Sequence, residues 1–183
     1  MTSFIISDHL TRKVPPSWAA HADPACPFCR IVAGAAPAFR VHEDERVVAF
    51  LDIMPLRPGH TLVVPKRHEK RVSELPAEDA AAVGAAVSRV AGALVRAMGN
   101  TALNVVCNQE YAQAVDHVHY HVIPAPTFES SSKVSPVMNE PDKGPRGRKV
   151  LTQKEMHRRE FENREELDEE EGEELAKRIR AHL

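Results

Sequence analysis

Cysteine is scarce in this sequence, and its few occurrences exclude one large class of proteins. The 183 residues include three cysteines, Cys26, Cys29 and Cys107, and the first two form a C-x-x-C pair. A small secreted domain that depends on disulfides usually carries a larger, even set of cysteines. We therefore expect a reducing compartment, the cytoplasm or the nucleus, and no disulfide framework.

Long hydrophobic runs and an excess of charge of one sign are also missing. No run of about 18 apolar residues occurs, and the apolar stretch at residues 4–6 is too short for the core of a signal peptide. The formal net charge is −2, with 24 Lys and Arg against 26 Asp and Glu. We therefore expect neither a membrane partner nor specific binding to nucleic acid.

Residues 117–124 form the most informative stretch, because His117, His119 and His121 alternate there with apolar or aromatic residues. This alternation predicts a half-buried β-strand with the three histidines on one face. An imidazole is costly to bury unless its nitrogens find partners, so three on one face favour a functional site. The face could bind a metal, or one imidazole could act as a nucleophile.

The C-x-x-C pair of Cys26 and Cys29 has three interpretations: half of a zinc site, a redox pair, or two inert thiols. A redox pair usually follows a strand in a thioredoxin-like pattern, and no strand-like run precedes Cys26. Zinc would need two more ligands, typically cysteine or histidine.

Hydrophobic periodicity and turn residues predict the remaining elements. We expect strands over residues 39–43, 47–52, 60–65, 102–108 and 117–124, a short helix over 26–33 and a long helix from about Pro76 to Met98, ended by Gly99. These elements predict an α+β fold, a five-stranded antiparallel sheet with one long and one short helix, plus a charged C-terminal helical extension.

Composition divides the chain into a leader (1–24), a domain (25–127) and a linker with a charged tail (128–183). The pattern Thr152-x-x-Glu155 is a capping box, and it predicts a helix from Gln153 to about residue 182, with Gly172 as a candidate break. Because this segment is heavily charged, we expect a solvated helix. Its weak packing would run through Met156, Phe161, Leu167, Leu175 and Ile179.

The pattern His-φ-His-φ-His-φ-φ at residues 117–123 resembles the signature of the histidine triad family of nucleotide hydrolases and transferases. Residues 50–55 and 58–68 are similar to the central block of its HINT branch, and residues 26–32 resemble the opening of zinc-containing members. The resemblance spans roughly residues 26–125. It implies a five-stranded sheet, a homodimer paired through the long helix and a strand, and a purine nucleotide substrate that contains AMP.

The resemblance also implies the catalytic roles. His119 matches the nucleophile that attacks phosphorus, His121 the group that binds a phosphate oxygen and assists proton transfer, and His117 the residue that orients the site. A neutral nucleophilic imidazole needs an acceptor for its other N–H. The uridylyltransferase branch has glutamine at the position of His121, so the resemblance favours hydrolysis.

The resemblance to the histidine triad family also implies a metal site. Cys26, Cys29, His68 and His117 match the ligands of a structural zinc ion. Such a site is structural because four protein ligands leave no open position for water.

The nucleotide-binding residues are likewise implied by the resemblance. Asp52 matches the residue that hydrogen-bonds the ribose hydroxyls. The other matching positions are Phe28, Ile31, Phe50, Leu51, Ile53, Asn108, Gln113 and Ala114. The family usually has Gly-Gln-Ser/Thr-Val before the triad, whereas residues 112–115 read Ala-Gln-Ala-Val. Ala114 therefore lacks a hydroxyl that could assist the leaving group.

These observations together predict a purine nucleoside phosphoramidase that works through a nucleotidyl-histidine intermediate. One alternative is a dinucleoside polyphosphate hydrolase. Another is a nucleotide-binding scaffold or sensor homodimer with weak catalysis, and a third is a metalloenzyme that uses the three histidines as ligands.

Overall fold

The computed structural model describes residues 22–126, 162 and 164–183. Most of the predicted leader, the linker and the predicted helix start at Gln153 lie outside these residues. The described chain contains a five-stranded, wholly antiparallel sheet in the order β1-β2-β3-β5-β4. Its strands are β1 (Arg40–Glu43), β2 (Val47–Leu51), β3 (Thr61–Pro65), β4 (Leu103–Cys107) and β5 (Tyr120–Pro124). The predicted α+β fold is confirmed.

The long helix α2 (Ala77–Met98) covers one face of the sheet. Its buried residues recur at helical spacing and join Val47, Ala49 and Leu51 of β2 in the main core. The helix follows Pro76 and ends at Gly99, whose φ of 65° is left-handed, as the sequence predicts. By length and composition alone α2 could cross a membrane, but the helix of a domain core passes the same test.

The short helix α1 (Pro27–Val32) lies on the opposite face of the sheet. Its buried residues Phe28, Cys29 and Val32 pack in a second cluster with Val48 and Phe50 of β2. Alternate side chains of β2 therefore pack into two different hydrophobic clusters, as the two-residue period of a strand requires.

The last strand is shorter than the alternation predicts, because β5 begins at Tyr120 and not at His117. The neighbouring strand β3 ends at Pro65, which has no N–H to continue the ladder. The N–H of Val118 instead donates to the carbonyl of Glu69, at 2.8 Å. The alternation of faces nevertheless persists, since Val118 packs in the core on the side of α2.

The C-terminal tail departs from the prediction. Residues 164–168 are not helical, and helix α3 (Glu169–Arg180) begins after Asp168, whose carboxylate accepts the N–H groups of Glu170 and Glu171. Gly172 lies inside this helix and does not break it. A Cβ there would come within 2.7 Å of the Phe39 ring, so the glycine permits close packing.

Helix α3 is also part of the domain core. Its residues Ala176 and Ile179 are fully buried in the main cluster, between β1 and α2. The expected packing through Leu175 and Ile179 is present and is tighter than predicted, because Ile179 is fully buried, while most other residues of the helix are exposed. The charged side chains occupy the outer face, while the few apolar ones cover the sheet and α2.

Candidate active site and metal centre

His119 lies at the centre of a small cluster of rings on the α1 side of the sheet. The Phe28 ring packs edge-on against it with ring centroids 5.2 Å apart, and the His121 ring centroid lies 4.9 Å away. The imidazole Nδ1 is 2.6 Å from the carbonyl oxygen of His117. Because a carbonyl can only accept, Nδ1 carries the proton, and Nε2 keeps a free lone pair.

The environment of His119 also keeps the ring neutral. Burial lowers its pKa, while the hydrogen bond to the His117 carbonyl acts in the opposite direction. At neutral pH the ring is therefore an uncharged base with one defined tautomer. An imidazole in this state is suited to nucleophilic attack through Nε2.

The hydrogen bond from His60 determines which nitrogen of His121 carries the proton. The sequence analysis gave His60 no role. The backbone N–H of Leu56 donates to His60 Nδ1 at 3.1 Å, so the proton of His60 lies on Nε2. That Nε2–H lies 2.9 Å from His121 Nδ1 and donates to it. The remaining proton of His121 is consequently on Nε2, where it can donate to a ligand.

Burial lowers the pKa of His60 to about 3. Burial, and then repulsion between the protonated forms of His121 and His119, lowers the pKa of His121 to about 4. Both rings are neutral at neutral pH, so the relay of hydrogen bonds from Leu56 through His60 to His121 is intact there. The only sequence signal for His60 was a polar residue at the start of an apolar strand.

Asp52 follows β2 at the edge of this cluster and is partly buried. Its Oδ1 accepts the N–H of Met54 at 2.9 Å. Its Oδ2 lies 3.4 Å from His60 Nδ1, but that nitrogen already accepts from Leu56, so the contact is not a hydrogen bond. Burial raises the pKa of Asp52, opposed by the Met54 N–H and then by the charges of Arg164 and His119.

The expected apolar wall is only partly present. Phe28 and Phe50 pack edge-on at 5.6 Å in the cluster beside His119, with Ile31 against the same cluster, and Ile53 is 57% exposed next to Asp52. Leu51, in contrast, is buried in the core on the side of α2. Its side chain points away from the histidines, so the assignment of Leu51 to the nucleotide site is corrected: successive strand residues face opposite sides.

The residues expected on the phosphate side lie in a loop after β4. The Gln113 amide donates to the carbonyl of Val115 in this loop and to that of Lys70 in the segment after β3, and its oxygen accepts the N–H of Glu110. Asn108 donates to the carbonyl of Ala112 at 3.3 Å. Both amides therefore form hydrogen bonds with backbone groups.

Two further positions in this loop differ from the usual family pattern. Ala112 has a φ of 56°, a left-handed conformation that glycine adopts without strain, and glycine is the family's usual residue there. Ala114 is exposed and lines an open depression of about 350 Å³ together with Cys26 and Pro27. The sequence alone does not reveal this placement beside α1.

Cys26, Cys29, His68 and His117 come together as the resemblance implies, with all four potential ligand atoms within 4.8 Å of one another. His117 Nδ1 lies 3.5 Å from the Cys26 sulfur and 3.6 Å from that of Cys29, and His68 Nδ1 lies 3.2 Å from Cys29. Tetrahedral zinc with Zn–S of about 2.3 Å and Zn–N of about 2.0–2.1 Å separates sulfur from nitrogen by about 3.6 Å. The donor set and spacing therefore fit a metal ion.

The orientation of His117 supports the same interpretation. Its Nε2 donates to the carbonyl of Pro65 at 2.8 Å, which leaves the Nδ1 lone pair directed at the two sulfurs. The pKa of Cys26 is lowered, first by the hydrogen bond from the Cys29 thiol and despite its burial, and a thiolate is the form that binds metal.

One other group of potential ligands exists within the described residues, namely Asp52, His60 and His121. The His60–His121 hydrogen bond already uses two of its nitrogens. Neither group unites the three triad histidines, so the structure does not support a metal centre formed by the triad itself.

Comparison with known proteins agrees with this geometry. The HIT domain family matches residues 33–127. An uncharacterised HIT-like protein of Mycobacterium tuberculosis is 40% identical over 130 residues, covering 67% of this chain and 88% of that protein. The adenosine 5'-monophosphoramidase of Schizosaccharomyces pombe is 40% identical over 107 residues, covering 57% of this chain and 77% of that protein.

A solved structure resembles this chain along most of its length. The zinc-bound histidine triad family protein of Mycobacterium smegmatis superposes with a TM-score of 0.61 at 31% identity, covering 86% of this chain and 92% of that protein. The likeness thus covers more of the chain than the HIT domain match does.

Proposed function

The chain belongs to the HIT family, and from this premise we propose that it is a purine nucleoside phosphoramidase, which cleaves the P–N bond of AMP-type substrates. The observation that carries the proposal is the fixed tautomer of His119. Its Nδ1–H is held by the His117 carbonyl, and its Nε2 lone pair is free for attack on phosphorus. The name of the S. pombe relative supports the substrate class.

The proposed reaction has two steps. His119 Nε2 attacks the phosphorus atom, and a P–N bond forms to the imidazole. The substrate's P–N bond breaks as the departing amine takes up a proton from solvent water. Water then attacks the nucleotidyl-histidine, which releases AMP and restores the free imidazole. The Nε2–H of His121, oriented by His60, is placed to donate to the phosphate oxygen on which negative charge develops.

Binding of the nucleoside is assigned to the residues beside the triad. The Asp52 carboxylate is proposed to accept hydrogen bonds from the ribose hydroxyls, and Phe28, Phe50 and Ile53 to contact the purine. Support comes from their position, since Phe28 and Phe50 pack beside His119 and Asp52 lies at the same end of the sheet.

Zinc is the metal that the Cys26, Cys29, His68 and His117 set fits best, and we propose it as the cofactor. Bound there, it would supply a structural cross-link between α1, the loop after β3 and the loop that begins the triad. Because the His117 carbonyl holds His119, fixing His117 also fixes the nucleophile.

The substrate proposal is tested with the purified full-length protein. Adenosine 5'-monophosphoramidate and an AMP–lysine phosphoramidate should be hydrolysed with kcat/KM about tenfold or more above that of a diadenosine polyphosphate, measured by AMP release. Preference for the polyphosphate would replace phosphoramidase with dinucleoside polyphosphate hydrolase. Tight AMP binding without turnover of any substrate would support a nucleotide sensor instead.

We also propose a homodimer. Strand β4 is an edge of the described sheet, and its Val105 and Val106 are 48% and 42% exposed. Exposed small residues of α2, such as Gly84 and Ala85, would permit close approach of a second backbone. Sedimentation equilibrium should give twice the chain mass of 20.3 kDa.

A charged substitution at the edge strand locates this interface. Val105→Lys should shift the protein towards monomer, whereas Leu183→Lys, at an exposed apolar residue away from β4, should leave the mass unchanged. A wild-type protein that sediments as a monomer would refute the dimer.

A further inference from the structure

Residues 164–168, which precede helix α3, run beside the loop that carries Asp52. The backbone N–H of Leu167 donates to the carbonyl of Ile53 at 2.8 Å, and Ile53 is the neighbour of Asp52 in sequence. The C-terminal segment is therefore joined to the chain at the sugar side of the proposed nucleotide site. The HIT domain match ends at residue 127 and does not include this segment.

The position of this segment is fixed by the packing of α3. Gly172 lies directly against Phe39, and Ile179 is fully buried in the main core. The Arg180 guanidinium donates to the carbonyl of Arg40 at 2.6 Å, which ties the far end of the helix to β1. Since α3 is anchored along its length, the residues just before it have a defined place.

Arg164, three residues before the anchored Leu167, is half-buried and acts electrostatically on both Asp52 and His60. Burial raises the pKa of the Asp52 carboxyl, whereas the Met54 N–H and then Arg164 lower it. His60 carries no charge beside Asp52 at neutral pH, because its pKa of about 3 keeps the ring neutral. Of the side chains that act on Asp52, Arg164 is the one with a permanent positive charge.

We propose that residues 164–168 form the sugar-side wall of the nucleotide site, and that Arg164 is a positioning residue which orients Asp52, the proposed acceptor for the ribose hydroxyls. The inference rests on the proposed function, because it assumes that a nucleotide binds beside His119. It makes the C-terminal segment a determinant of selectivity for ribonucleotides over 2'-deoxyribonucleotides.

The test is a double-mutant cycle on AMP binding. Calorimetry measures the Kd of AMP and of 2'-deoxy-AMP for the wild type, Arg164→Gln, Asp52→Asn and the double variant. Arg164→Gln should weaken AMP binding about tenfold and 2'-deoxy-AMP binding much less, so the ratio of the two Kd values falls. In the Asp52→Asn background the same change should add little, because the carboxylate on which Arg164 acts is gone.

Two further variants separate charge from packing. Arg164→Lys keeps the positive charge and should retain most of the preference for AMP. Arg178→Gln removes an exposed arginine of α3, which contacts Met98 and not the site, and should match the wild type. Thermal melting of each variant confirms that the fold is retained.

The outcomes are distinct. Equal weakening of AMP and 2'-deoxy-AMP by Arg164→Gln, or an undiminished effect in the Asp52→Asn background, would overturn the positioning role while leaving the proposed function intact. Failure of the wild type to bind AMP would overturn the proposed function, and this inference with it. A reduced ribose preference that is restored by lysine would support the inference.

Discussion

Replacement of His119 by alanine should lower kcat for the AMP phosphoramidate by about a thousandfold or more, with little change in the Kd of AMP. The reason is that the variant lacks the Nε2 lone pair that would form the covalent intermediate, while Asp52 and the Phe28–Phe50 pair remain. The measurement combines steady-state turnover with calorimetric binding of AMP. Thermal melting accompanies both, because the His119 ring packs against Phe28.

His42→Ala is a suitable control for this experiment. His42 lies on β1, where its ring contacts Asp44 at 3.3 Å, outside the cluster around His119. This variant should keep nearly the full kcat. If His119→Ala retained more than about a tenth of the wild-type kcat, the covalent step would not involve His119 and the assignment of the nucleophile would fail.

Loss of the metal site should produce the second large effect. Protein purified without chelator should contain about one zinc per chain, and Cys26→Ala should abolish this and lower Tm by roughly 10–20 °C. That range assumes that the site contributes about 5 kcal/mol, since about 1 kcal/mol shifts Tm by about 2–4 °C in a chain of this size. Elemental analysis and thermal melting are the measurements.

Cys107→Ala provides the matched control, because Cys107 lies on β4, outside the cluster of Cys26, Cys29, His68 and His117. It should retain the full zinc content. If wild-type protein contained no metal, or if the two cysteine variants lost equal stability and equal zinc, Cys26 and Cys29 would be ordinary buried thiols.

Local sequence patterns are sufficient to predict the helices and strands of the domain. The continuous apolar runs of β2 and β3 and the apolar period of α2 are properties of neighbouring residues, and the left-handed φ at Gly99 is favoured by that residue itself. The same reasoning places Phe50 and Leu51 on opposite faces of β2. The family resemblance matched both residues to the nucleotide site without regard to the face of the strand, so its assignment of Leu51 was wrong.

The family resemblance implied that the four metal-site residues lie together. Their spacing in the sequence did not, since 91 residues separate Cys26 from His117. The hydrogen-bond relay from Leu56 through His60 to His121 could not be predicted from the sequence. The tautomer of His121 depends on His60, 61 residues away, and on the Leu56 N–H. A hydrogen bond of this kind carries no local sequence signal.

The sequence by itself determined the sheet, the two helices of the domain, the common face of the triad and the ligand types near α1. Only the tertiary structure decided where β5 starts, which nitrogen of each imidazole carries its proton, and that the charged tail packs beside Asp52. The physical reason is the separation along the sequence of the groups that interact. Strand and helix patterns follow from steric preferences of adjacent residues, whereas Pro65, the Leu56 N–H and Phe39 act on groups that are distant in sequence and meet only after folding.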